Sequence, residues 1–140
     1  MTVSPQQTES LQLPSRIENL MEVEDFINRI FEYSEISQEF YGNMLVAVTE
    51  AVNNAMKHGN KLDDSKLVKV DYDLGNDLLT FKVRDEGVGF EYDNLPDPTA
   101  PENIEKPHGR GVFLMKNLAD EVEFHDNGTV VELKFDLSPN

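Results

Sequence analysis

The sequence predicts an α+β two-layer sandwich, a mostly antiparallel sheet with helices covering one face. Three observations carry that expectation. Two stretches of helical periodicity lie between Arg16 and Gly59, two pairs of short alternating runs read as hairpins, and no internal repeat is present. A chain of 140 residues that is 39% apolar holds material for one core and little more. With 12 Lys+Arg against 27 Asp+Glu, the net charge is 12 − 27 = −15. Such a body repels phosphate backbones and anionic lipid surfaces, so neither nucleic acid nor a membrane is an expected partner. No apolar run approaches the roughly 20 residues that cross a bilayer, and the opening MTVSPQQTES lacks the pattern of a secretory signal. A cytoplasmic protein is expected. The absence of cysteine excludes disulfides, thiolate zinc sites and cysteine nucleophiles.

Residues 1–10 are polar and aperiodic and read as a flexible arm, leaving 11–137 as a single domain. Leu11-Gln12-Leu13 alternates as a short edge strand, and Ser15 with Glu18 has the spacing of a capping box. From Arg16 to Tyr33, Leu20, Val23, Phe26, Ile27, Ile30 and Phe31 recur at helical steps. A second helix follows Ser37 with Phe40, Met44, Val48, Val52 and Ala55 on one face. It stops at Gly59, read as a left-handed terminal residue. Leu67 to Asp73 and Leu78 to Arg84 form a hairpin turned at Gly75-Asn76-Asp77. Asp93 to Pro107, with four prolines, is a long loop of the kind that serves as a lid or a binding loop or is disordered. Gly109-Arg110-Gly111 then leads into a short helix from Phe113 to Ala119. Glu121 to His125 and Val130 to Phe135 close the chain as a second hairpin turned at Asn127-Gly128.

Three stretches have residues suited to chemistry. In Val48 to Lys61, Glu50, Asn54 and His58 share one stripe of the second helix. The stripe is either a solvated face or a ligand face. Asn53 and Asn54 favour the second reading, being poor helix formers, and the small Ala51 and Ala55 beside them leave room for close approach. A carboxylate one turn from an amide can hold Mg2+ oxygens and accept a proton. Asp85-Glu86-Gly87-Val88-Gly89 follows a strand and is either an ordinary turn or a place where backbone approaches a ligand. Its carboxylate could accept a hydrogen bond from an exocyclic amine. Gly109-Arg110-Gly111 before a helix is either a loop end or an anion site at the helix dipole.

In this order and spacing the three stretches resemble the N, G1 and G2 boxes of the GHKL ATP-binding superfamily. More narrowly, Leu13-Pro14-Ser15, the run E-A-V-N-N-A-M-K-H-G-N and the run G-R-G-V-F-L-M-K-N-L-A-D-E-V resemble bacterial anti-sigma factor serine/threonine kinases. The resemblance spans Leu11 to Phe135. It implies the Bergerat fold, a mixed sheet backed by helices, with ATP and Mg2+ as ligands. Carried over by position, Glu50 is the general base, Asn54 the Mg2+ ligand and Asp85 the acceptor for the adenine amino group. Gly87 and Gly89 form the wall beside the purine, Gly109, Arg110 and Gly111 the lid over the phosphates, and Thr129 supports adenine through water. His58 and Lys61 stand where basic side chains could reach phosphate; the other reading of a His that ends a helix is a favourable charge at the C-terminal dipole. One position departs from the pattern: Phe113 stands where relatives often carry a third lid glycine.

The implied function is ATP-dependent phosphorylation of a serine or threonine on an anti-anti-sigma antagonist by an anti-sigma factor that also engages a sigma factor. A homodimer is an expectation of the resemblance alone. The alternative is a non-catalytic module that sequesters a protein partner, with nucleotide as a structural ligand or with none. A sensor histidine kinase is disfavoured, because His58, His108 and His125 are the only histidines and none precedes the pocket on a dimerising hairpin.

Overall fold

A computed structural model describes residues 7–87 and 107–138, with the side chains of 7 and 107–110 outside the description. The elements run β1 (Gln7–Pro14), α1 (Leu20–Tyr33), α2 (Tyr41–Asn54), β2 (Leu67–Gly75), β3 (Leu78–Arg84), α3 (Pro107–Leu118), β4 (Glu121–His125) and β5 (Val130–Asp136). Sheet order is β1-β2-β3-β5-β4, and all its pairings are antiparallel. The expected α+β sandwich is the architecture found.

Alternation along each strand decides which face is covered. Val68, Val70 and Tyr72 of β2 point to the helices, with Leu79, Phe81 and Val83 of β3 and Val131, Leu133 and Phe135 of β5. The opposite face is polar and self-paired: Lys82 meets Glu132 at 3.5 Å, and Lys134 meets Glu132 at 3.4 Å and Glu121 and Glu123 at 3.6 Å. From the helical layer, Val23, Phe26, Ile27 and Ile30 of α1 and Met44, Val48 and Val52 of α2 complete one buried cluster. Phe81 sits at its centre, edge-on to Phe135 with ring centroids 6.1 Å apart and tilted against Tyr72 at 6.3 Å.

Four local expectations are corrected. β1 begins at Gln7, so Gln7–Ser10 of the expected arm are a strand, paired from Gln7↔Leu74 to Ser10↔Asp71. The capping box does not form. Ser15 is buried, and its hydroxyl donates to the Lys66 carbonyl at 2.8 Å instead of turning to a helix N–H. The chain enters α1 through a short 3-10 turn, Ile17–Asn19, with no side-chain cap on either segment. Finally, α3 starts at Pro107, so Gly109, Arg110 and Gly111 are helical and not a loop end. Two glycines cost a helix about 1 kcal/mol each, but burial of Val112 and Met115 holds the segment down. The expected loop at 93–106 and Gly89 lie outside the described residues.

Both hairpins turn where expected. Asn76 and Asp77 have φ of 53° and 61° between Gly75 and Leu78, the primed two-residue turn that suits strand twist. Asp126, Asn127 and Gly128 take φ of 51°, 59° and 88° before β5.

Replacing Phe81 with Ala should cost about 3–5 kcal/mol, the range for emptying a buried aromatic site. Urea unfolding followed by circular dichroism checks this: the midpoint should fall with the slope unchanged. A loss below about 1 kcal/mol would show that Phe81 is not central to the core.

Candidate functional site

The site begins where α2 stops being an α-helix. Ala55–Gly59 form a π turn, closed by the Asn60 N–H donating to the Ala55 carbonyl at 2.8 Å. A π turn places one more residue in the loop than an α turn does, which re-aims the residues after it. Lys61 and Leu62 then reverse the chain, each at φ 56°. Gly59 is therefore not the left-handed terminal residue expected; those positions fall on Lys61 and Leu62. Gly59 is needed for space, because a Cβ there would lie 2.4 Å from the Asp85 Cγ.

Asp85 leaves β3 at the facing edge. Its N–H donates to the Thr129 carbonyl at 2.9 Å, tying the end of β3 to the loop before β5. Its Oδ1 accepts from the Gly87 N–H at 2.8 Å, closing the turn on the carboxylate. Gly87 is constrained from the other side: a Cβ there would stand 2.1 Å from the Gly59 carbonyl oxygen. Burial pushes the Asp85 carboxyl above its ordinary value of 3.8, and the Gly87 hydrogen bond partly offsets this.

Between these parts lies a cleft. Ala51, Asn54, Ala55 and His58 form one wall, a single ridge of α2 continued into the π turn. Asp85, Gly128 and Thr129 provide the polar rim opposite. Val83, Val131, Val112, Met115 and Phe124 are the apolar lining, suited to a flat ring. Asn54 Nδ2 is buried without a hydrogen-bond partner among the described residues. The backbone of α3 presses directly on it, since a Cβ at Gly111 would lie 2.6 Å from Nδ2 and 3.0 Å from Oδ1. A buried amide with unmet hydrogen-bonding capacity costs about 1–3 kcal/mol. Such a group fits an oxygen-rich ligand and its cation, donating through nitrogen and ligating through oxygen. His58 is held below its ordinary pKa by burial first, then by Lys61 and Lys57, which favours the neutral ring.

Of the residues singled out from sequence, Asn54, His58, Asp85 and Thr129 meet in this cleft, with Gly87 and Gly111 at its close contacts. Glu50 is half-buried, one helical turn before Asn54, and does not line the cleft. Gly109 and Arg110 lie in the first turn of α3. Lys61 is exposed in the reversal after the π turn. Phe113 is 42% exposed on α3 and does not line the cleft. Sequence reasoning missed Asn60, fully buried beneath the Asp85 turn. An Asn at a helix end is too common to signal such a role.

A family model described as the histidine kinase-like ATPase domain matches residues 13–135. Curated relatives include proteins named serine-protein kinase RsbW from Bacillus cereus (strain AH187) and Bacillus anthracis (strain A0248), each 32% identical over 108 residues. The match covers 72% of this chain and 64% of each relative, so the chain spans less than two thirds of their length. Among solved structures, the crystal structure of the RsbU and RsbW domains of Rv1364c from Mycobacterium tuberculosis superposes with a TM-score of 0.67 at 19% identity. That match covers 96% of this chain and 33% of that one, and it is a likeness of fold.

Asp85→Asn keeps an oxygen for the Gly87 N–H but removes the charge. An acid whose pKa is raised on folding loses its stabilising contribution as pH climbs through the folded value. The substitution should therefore stabilise the protein at neutral pH, with a gain that shrinks toward zero below pH 3.8, the ordinary carboxyl value. Thermal unfolding of both proteins across that range checks the sign; a difference independent of pH would contradict it.

Proposed function

Because the chain belongs to the histidine kinase-like ATPase domain family, we propose that it binds ATP in this cleft and phosphorylates a serine or threonine of an anti-anti-sigma antagonist. It would thereby act as the anti-sigma factor in a partner switch. The observation that carries the reading is the joining of Asn54 and Asp85 in one apolar-lined cleft. Support for the kinase step comes from the serine-protein kinase relatives, in step with the resemblance of the motifs.

In this reading adenine lies between Val83 and Met115, and the Asp85 carboxylate accepts a hydrogen bond from its exocyclic amine. Thr129, on the same rim, supports the base. Gly87 and Gly89 border the purine. Asn54 is the residue that would hold Mg2+, which supplies charge neutralisation on the phosphates when bound. Lys61 and, in the lid segment with Gly109 and Gly111, Arg110 are the positive groups assigned to the phosphates, and His58 is assigned there as a neutral hydrogen-bonding ring. Local positive groups are required, since a chain of charge −15 offers ATP no overall attraction. The acceptor hydroxyl oxygen bonds to the terminal phosphorus as the bond to the β–γ bridging oxygen breaks and ADP leaves. Glu50, one helical turn before Asn54, takes the hydroxyl proton.

A sigma-factor regulator works in the cytoplasm, and the reading assigns the chain there; among the described residues no helix is long and apolar enough to cross a membrane. A homodimer and a single domain from β1 to residue 137 belong to the same proposal. The rival, a partner-binding module without catalysis, draws on the close packing of α3 over Asn54 and on Phe113 at the third lid position.

Incubation with labelled Mg-ATP and an anti-anti-sigma protein separates the two, because only a kinase moves label to the antagonist. Glu50→Gln should lower that transfer about 10²-fold or more, the usual share of a general base, and leave nucleotide affinity nearly intact. Undiminished transfer would remove Glu50 from the mechanism, and no transfer by the unaltered protein would favour the module.

A further inference from the structure

Asn60 is fully buried and directly follows the π turn. Its side chain divides its hydrogen bonds between two jobs. Nδ2 donates to the Ser15 hydroxyl at 2.9 Å and to the Leu67 carbonyl at 3.1 Å, anchoring the amide to the end of β1 and the start of β2. Oδ1 accepts from the Glu86 N–H at 2.7 Å, inside the turn that carries Asp85. Both amide hydrogens are used, and the oxygen serves that turn.

We propose that Asn60 is a positioning residue for base recognition, holding the Asp85–Gly87 turn so that the Asp85 carboxylate faces the cleft. The inference rests on the nucleotide reading and deepens it, since it names what sets adenine selectivity from beneath. The geometry demands such a device. The backbone of Gly59 packs against the Asp85 carboxylate with no room for a single carbon, and Gly87 packs against the Gly59 carbonyl. Among the described residues, the other hydrogen bonds of the Asp85–Gly87 turn do not reach the core beneath. The Asp85 N–H goes sideways to Thr129, the Gly87 N–H folds back on Asp85, and the Glu86 carboxylate accepts from the Leu67 N–H at the exposed edge. Among the described N–H groups of the turn, that of Glu86 alone points inward, and Asn60 receives it. The π turn makes this reach available, because closing on Ala55 instead of Met56 turns Asn60 inward.

A buried, satisfied Asn also stabilises the fold, so the test separates the two roles. Ser15→Ala removes a partner of Asn60 Nδ2 and the hydroxyl's bond to Lys66, yet leaves the bond to Glu86 in place. Asn60→Ala removes the bonds to Ser15, Leu67 and Glu86. With Mg2+ present, titration calorimetry of ATP and of inorganic tripolyphosphate into the two variants and the unaltered chain gives the readout. Asn60→Ala should weaken ATP about tenfold or more, equivalent to about 1.4 kcal/mol, and leave tripolyphosphate affinity unchanged. Ser15→Ala should lose thermal stability and keep ATP affinity. Equal loss of ATP affinity in both variants, or a parallel loss for tripolyphosphate, overturns the proposal. Should Asn60→Ala not fold, hydrogen exchange on the unaltered chain decides: the Glu86 amide should gain protection with ATP and not with tripolyphosphate, and equal protection or none refutes the role. An unaltered chain with no affinity for ATP overturns the nucleotide reading, and the inference falls with it.

Discussion

No side chain fits between the end of α2 and the turn that follows β3. Gly59 lies against the Asp85 carboxylate, and Gly87 lies against the Gly59 carbonyl, each too close for a Cβ. This contact joins the helical layer to the sheet at one point and sets the depth of the cleft beside it. The rest of the site follows. The π turn aims Gly59 and Asn60 at the sheet, Thr129 receives the Asp85 N–H, and α3 closes over Asn54 where Gly111 admits it.

Such a junction costs stability. Asp85 is buried enough to raise its carboxyl pKa, and the Asn54 amide nitrogen has no partner among the described residues. Both are polar groups held without full compensation, an arrangement concentrated at ligand sites. The cost is carried by the core behind them. Val48 and Val52, earlier in α2 than Asn54, are fully buried, and Phe81 and Val83 lead β3 straight to Asp85. A ligand offering a hydrogen-bond donor to Asp85 and oxygens to Asn54 would satisfy both groups at once. That demand points to an amine at one end of the ligand and an oxyanion with its cation at the other.

Local patterns were legible in the sequence because local physics decides them. Val23, Phe26, Ile27, Ile30 and Phe31 name the buried face of α1, and Asn76-Asp77 and Asn127-Gly128 name the turns. The pairing of Asn54 with Asp85 was legible only through family resemblance, since no periodicity links a helix to a strand end. Distant contacts stayed hidden. Ser15 looked like a helix cap, but its partners are Lys66 and Asn60, 51 and 45 residues away, and burial among them outweighed capping. Gly59 looked like a helix stop because glycine is common there, whereas its need is steric and set by Asp85. The glycines of α3 suggested a loop, and tertiary packing overrode that propensity.

The most direct test of the account is a crystal structure with Mg2+ and a non-hydrolysable ATP analogue. The account predicts the exocyclic amine of adenine within hydrogen-bond distance of the Asp85 carboxylate and the Asn54 side-chain oxygen on the cation. A nucleotide bound elsewhere, or one in the cleft with Asp85 and Asn54 both left without contact, would contradict it.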